Sequence, residues 1–119
     1  MAKDLQFIML LDCYGEFLTD RQRQVSELYY GEDLSLSEIS ELSGITRQAV
    51  RDSIKRSEEI LLDMESKLRF AERLAALREN YSEIAACAKY ISENTFSSPA
   101  ILEKCRIVET KVQEGLKLL

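Results

Sequence analysis

Apolar residues recur along this chain at intervals of three and four, the period of a helix surface, and nowhere alternate with polar ones over the length of a strand. Over residues 3–17, Leu5, Ile8, Met9, Asp12 and Cys13 fall at helical spacing and predict a first helix. Thr19 and Gln22 then stand in the Thr-x-x-Gln relation of a capping box. They open a second helix that runs through Tyr29 and Tyr30, buries Val25, Leu28 and Tyr29, and ends at Gly31. Ser35 and Glu38 form a second capping box, starting a short third helix whose inward residues are Leu36, Ile39 and Leu42. Gly44 supplies a left-handed residue for a sharp turn, and Thr46 caps a fourth helix.

From residue 46 to residue 92 neither Gly nor Pro interrupts the pattern. One helix over that stretch would be about 70 Å long, well beyond the diameter of a small domain. Two apolar seams of heptad type divide it. Val50, Ile54, Ser57, Leu61, Met64, Leu68 and Ala71 make the first, and Leu74, Leu77, Tyr81, Ile84, Ala88 and Ile91 the second. The three-residue step from Ala71 to Leu74 predicts a stammer, a kink or a break. After the stretch at residues 94–97, Ser98 and Pro99 read as an N-cap with proline at the first helical position. A last helix follows to residue 118, with Ile101, Cys105, Val108, Val112 and Leu116 on one side. It should pair with the preceding segment as an antiparallel hairpin, within one chain or across two.

The class is therefore all-α: a helix-turn-helix domain over residues 1–70, followed by a long helix and a C-terminal helical hairpin over residues 71–119 that serves dimerisation or partner binding. The helix-turn-helix reading rests on residues 36–54. Ile39 and Leu42 anchor one helix, Ser40 is small where two helices approach, Gly44 turns the chain, and Ile45, Val50 and Ile54 plug the next helix into the core. A helical wheel turns Gln48, Arg51, Asp52, Lys55 and Arg56 outward, with Arg47 in the first turn, where amides and side chain can both reach a phosphate.

Charge agrees with this locally and opposes it globally. Between residues 46 and 56 four basic side chains face Asp52 alone, whereas the whole chain carries 16 Lys and Arg against 21 Asp and Glu, a net charge of −5. The first 70 residues hold 9 basic and 14 acidic residues, and residues 71–119 hold seven of each. Binding to duplex is thus expected to be weak, salt-sensitive and confined to one helix face.

Other chemistries lack their parts. The chain has no His, and Cys13, Cys87 and Cys105 match no disulfide or metal spacing, so they read as reduced, half-buried helix residues and no metal or other cofactor is expected. A Ser or Cys nucleophile would have no imidazole to activate it, and no Gly-rich phosphate loop is present, so an enzyme is not expected. The longest uncharged apolar run covers residues 7–11, too short to span a membrane. Asp4 stands where a secretory leader would carry only positive charge, and the expected location is cytoplasmic.

Several stretches carry a resemblance. Leu18 to Val25, Leu28 to Tyr30, Asp33 to Ile39 and the block Arg47-Gln48-Ala49-Val50 resemble the region-4 DNA-binding domain of bacterial sigma factors. The run from Leu28 to Ser40, together with the run from Thr46 to Glu58, is closer to the small YlxM-type bacterial family. The similarity covers residues 5–68 and departs from the family pattern at Ser40, Arg51 and Ser53, where Ala, Tyr and Asn are usual. It implies a helix-turn-helix regulator linked to the signal recognition particle and its protein-targeting pathway.

Beside a dimeric scaffold with no ligand, two readings of function follow. In one, the helix from Thr46 enters the major groove of double-stranded DNA, with Arg47, Gln48, Arg51 and Lys55 on bases or phosphates and Arg56 on the backbone. A homodimer joined through a seam of Leu61, Met64, Leu68, Leu74, Leu77, Tyr81 and Ile84 would set two such helices on one duplex. In the other, the chain is an accessory protein that docks on the RNA or the GTPase of the signal recognition particle without reading DNA.

Overall fold

The computed structural model describes residues 3–94 and 98–119; Met1 and Ala2, where the reading of the N-terminus began, and the expected link at residues 95–97 lie outside them. The chain is all-α, and no strand occurs among the described residues. It divides into two compact units, Met1–Ala71 and Glu72–Leu119. No helix among the described residues is long and apolar enough to cross a membrane.

The first unit contains α1 (Gln6–Tyr14), a 3-10 turn (Gly15–Phe17), α2 (Asp20–Ser26) running into a π-helical turn (Glu27–Gly31), α3 (Leu36–Ser43) and α4 (Arg47–Leu68). Both capping boxes form with both arms. The Gln22 N–H donates to Thr19 Oγ1 at 3.2 Å while the Thr19 N–H donates to Gln22 Oε1 at 3.1 Å. Ser35 and Glu38 repeat the exchange at 3.1 and 3.0 Å.

The inward face of α1 differs from the expected one. Phe7, Leu10, Leu11 and Tyr14 are buried, whereas Leu5 is 71% exposed and Ile8 and Met9 face solvent. Apolar residues stand on nearly every side of this helix, so periodicity leaves two stripes in competition. The one with the aromatic residues wins because Phe7 packs on Tyr30, ring centroids 5.6 Å apart. Tyr30 in turn meets Tyr29 edge to face at 4.9 Å. The π turn brings both tyrosines inward: its wider coil closes with the Glu32 N–H on the Glu27 carbonyl, five residues back, and both are buried where a single inward tyrosine was expected. Leu28 is half-buried.

Ile39 of α3 and Val50, Ile54, Ser57 and Leu61 of α4 complete this core. Leu42, expected inside, is 69% exposed, because the last turn of this two-turn helix has passed beyond the core.

The long stretch from residue 46 is two helices. α4 stops at Arg69, which adopts left-handed backbone at φ 55°, and α5 (Phe70–Asn94) starts at the next residue. The break therefore falls ahead of the step at residues 71–74, and side chains from the core hold it. Tyr14 Oη donates to Glu65 Oε1 at 2.5 Å and accepts the Phe70 N–H at 3.0 Å, while the same Glu65 oxygen accepts the Ala71 N–H at 3.1 Å. Two of the orphan donors at a helix start are met in this way, which offsets the roughly 1–2 kcal/mol that a left-handed non-glycine residue costs.

The second unit pairs the rest of α5 with α6 (Pro99–Lys117), capped by Ser98 with proline at its start as expected. The two helices run antiparallel. Arg78 Nη2 donates to the Leu119 carbonyl at 2.5 Å, and the ring of Tyr81 lies against Gly115, where an added Cβ would sit 3.2 Å from the ring. Ala88, Cys105 and Val112 are buried between them. Cys87 and Cys105 are free thiols.

Candidate nucleic-acid interface

α3, the turn at Gly44 and α4 form a helix-turn-helix. Gly44 takes the left-handed conformation, φ 73° and ψ 14°, with nothing within 4 Å of where a Cβ would stand, so backbone geometry alone calls for glycine there. Thr46 Oγ1 accepts the Ala49 N–H at 3.0 Å and opens α4. Between these two features the turn is fixed by hydroxyls. Ser40 Oγ donates to the Ile45 carbonyl at 2.5 Å and Ser43 Oγ to the Ile39 carbonyl at 2.6 Å. Ser40 therefore ties the turn, a role beyond the small-residue spacer its position suggested. No sequence signal marks a serine bonded to a carbonyl five residues on.

The angle at which α4 is presented depends on long-range ties. Tyr30 Oη donates to Glu58 on α4, and Tyr14 reaches Glu65 one stretch further along. Burial pushes both phenols above their usual range, and the neighbouring carboxylates push them further. The loop before α3 is anchored by Lys3, whose ammonium donates to the carbonyls of Tyr29 and Leu34 at 2.7 and 2.8 Å, pairs with Asp33 at 3.0 Å and lies 4.0 Å from the centre of the Tyr29 ring. The Ser35 backbone and hydroxyl hold the Glu38 carboxyl below its usual value, so Glu38 is a carboxylate at neutral pH.

Arg47, Arg51, Lys55 and Arg56 are all exposed on α4, with Arg47, Arg51 and Lys55 following one another at i, i+4 and i+8. Among the described residues none of these four cations takes part in an ion pair or side-chain hydrogen bond. Gln48 shares the face, but its amide donates to Asp52 Oδ1 at 2.9 Å. Arg47 also borders a polar recess with Lys3, Asp33, Ser35 and Glu38, which places carboxylates at that end of the basic strip.

The residues of the expected dimer seam do not share one environment. Leu61 is 1% exposed inside the first unit's own core, and Met64 packs partly against that core. Leu68 is exposed at the end of α4. Leu74 and Tyr81 are half-buried in the second unit, while Leu77 and Ile84 face solvent. A heptad pattern is the same whether it lies on the chain's own helices or on another chain, so the sequence could not separate Leu61 from Ile84.

Comparison with known proteins agrees with this geometry. A family model described as "Putative helix-turn-helix protein, YlxM / p13 like" matches residues 1–112. A UPF0122 protein of Clostridium kluyveri is 46% identical over 80 residues, covering 67% of this chain and 72% of its own. Another from Desulforamulus reducens is 40% identical over 106 residues, 89% of each chain. A third from Thermoanaerobacter sp. is 38% identical over 115 residues, 96% of this chain and 97% of its own. Matched through its helix-turn-helix and on into its C-terminal helices, the chain belongs to the UPF0122 family.

Proposed function

We propose that this protein is a helix-turn-helix regulator that binds double-stranded DNA through the outward face of α4, weakly and with strong dependence on salt. One observation carries the reading: in an acidic chain, the second helix of a helix-turn-helix keeps Arg47, Arg51, Lys55 and Arg56 exposed and outside any ion pair among the described residues. Unpaired guanidinium and ammonium groups at this spacing suit phosphates along a groove, and each phosphate neutralised releases condensed counterions. The first unit then acts like a sigma region-4 module in the cytoplasm. The test is fluorescence anisotropy with random-sequence duplex at 25–200 mM salt, using the wild type and the triple variant R47A/R51A/K55A. Loss of three phosphate contacts reduces the slope of log K against log salt by about 2.7. An unchanged slope and affinity in the triple variant would remove the groove model.

A second reading is favoured by the bond between Gln48 and Asp52. It engages one N–H of the Gln48 amide, the group on this face suited to a base edge, and it keeps a carboxylate among the cations. In that reading the same cations hold RNA or protein of the signal recognition particle, the pathway that the sequence resemblance implies. Recovery of the particle's GTPase with the tagged chain after nuclease treatment supports protein docking, and its loss supports nucleic acid.

A further inference from the structure

The α5–α6 hairpin leaves a groove of about 480 Å³ whose walls are almost wholly apolar, formed by Ile84, Ala88 and Ile91 on one helix and Ile101, Cys105 and Val108 on the other, with Cys87 and Lys104 at its edge. Each helix carries two heptad-spaced rows. One row closes the hairpin: Tyr81 and Ala88 on α5, Cys105 and Val112 on α6. The other row, Leu77, Ile84 and Ile91 on α5 with Ile101 and Val108 on α6, stays between 38% and 48% exposed. A two-stranded seam covers both of its heptad-spaced rows, a and d, on each helix. Here one of the two rows is left half-exposed, as on a helix that has a second neighbour in a four-helix bundle.

We propose that the occupant of this groove is the same groove of a second copy, so that two hairpins close a four-helix bundle. Size and charge both favour this occupant. The hairpin unit, Glu72–Leu119, buries only Ala88, Cys105 and Val112 among its described apolar side chains and has no disulfide among the described residues. Units of this size usually need a cross-link, a metal or association to stay folded. Two such faces set ten large apolar side chains, each 38–48% exposed, against one another, and their rims supply the rest of the roughly 1,000 Å² at which specific association begins. Residues 71–119 carry seven basic and seven acidic side chains, so two hairpins meet without net repulsion, whereas the first 70 residues hold the whole charge deficit of the chain. The proposal does not depend on what the α4 face binds.

Sedimentation velocity of the full chain from 1 to 200 μM tests it, together with alkylation of Cys87 by N-ethylmaleimide read by mass spectrometry at both ends of that range. A dimer that forms within the range, with Cys87 alkylation at least fivefold slower in it, is the expected result. Ile84→Asp and Ile101→Asp, each at a half-exposed position, should raise the dissociation constant at least tenfold, while Tyr90→Ala, which lies off the groove, leaves it unchanged. If a variant loses helicity, Cys87 protection in the wild type still decides the matter. A monomer at every concentration overturns the proposal and leaves the groove to a segment of a different protein. So does a dimer in which Cys87 reacts at the monomer's rate. Duplex binding fails or succeeds separately in the anisotropy assay, so the two proposals can fall independently.

Discussion

Replacing Tyr14 by Phe tests the account of how α4 ends and α5 begins. The change removes one oxygen from a side chain that is 1% exposed and leaves its ring in place, so packing is kept and only hydrogen bonding is lost. Two bonds go: the donation to the Glu65 carboxylate at 2.5 Å and the acceptance of the Phe70 N–H at 3.0 Å. A hydrogen bond to a charged acceptor contributes about 1.5–3 kcal/mol, and Glu65 keeps the Ala71 N–H as a donor. The expected loss is therefore about 2 kcal/mol, or roughly 10 °C in the midpoint of the first unit. Urea titration followed by far-UV circular dichroism at pH 7 measures it. The pH dependence gives an independent check. Burial first, and then the bond to Glu65, raise the Tyr14 phenol above its usual value near 10. Its contribution is thus complete below that value and is lost as pH rises through the folded value, with a slope of at most about 1.4 kcal/mol per unit. The gap between wild type and Tyr14→Phe should narrow from pH 9 to pH 11. A gap below about 0.5 kcal/mol at pH 7, or one that stays constant across that alkaline range, refutes the reasoning.

Two further outcomes concern the helix-turn-helix itself. Gly44→Ala places a Cβ in open space but on left-handed backbone, so it should cost about 1 kcal/mol in chemical denaturation with no steric component, and Gly44→Asn should cost less. The backbone bond from Ser35 lowers the Glu38 carboxyl, so this cap contributes stability that is present above the usual carboxylate value and is lost as pH falls through the lowered one. Glu38→Gln should flatten that part of the acid-unfolding profile, and an identical profile would remove the cap from the account.

What the sequence disclosed and what it withheld divide along the range of the interactions. Caps and turns are decided by residues three or four apart, and Thr19, Ser35, Gly44, Thr46 and Ser98 all take the conformations that their neighbours dictate. The break at Arg69 has no local cause, since neither Gly nor Pro is near. It is set by Tyr14, 51 residues away from Glu65. Likewise the inward face of α1 is chosen by Tyr30 on another element, so Leu5, Ile8 and Met9 satisfied the periodicity and still faced out. Of the candidate interface, the exposure of Arg47, Arg51, Lys55 and Arg56 was legible because a helix wheel fixes it. The pairing of Gln48 with Asp52 required rotamers, and periodicity carries no information on those.

The two hydroxyls that tie the turn between α3 and α4 bear on the thermodynamics of any binding event. With the Ser40 and Ser43 bonds made to carbonyls inside the motif, and with Gly44 already in its left-handed well, α4 meets a ligand in its final shape. No segment has to fold on arrival, so association carries little ordering entropy and little change in heat capacity. With duplex as the proposed partner, what drives it is the release of ions from that partner, an entropic gain that dilutes away as the surrounding salt rises. In that proposed complex, a preformed basic strip on an acidic protein suits brief, frequently renewed contacts whose lifetime is set by ionic strength.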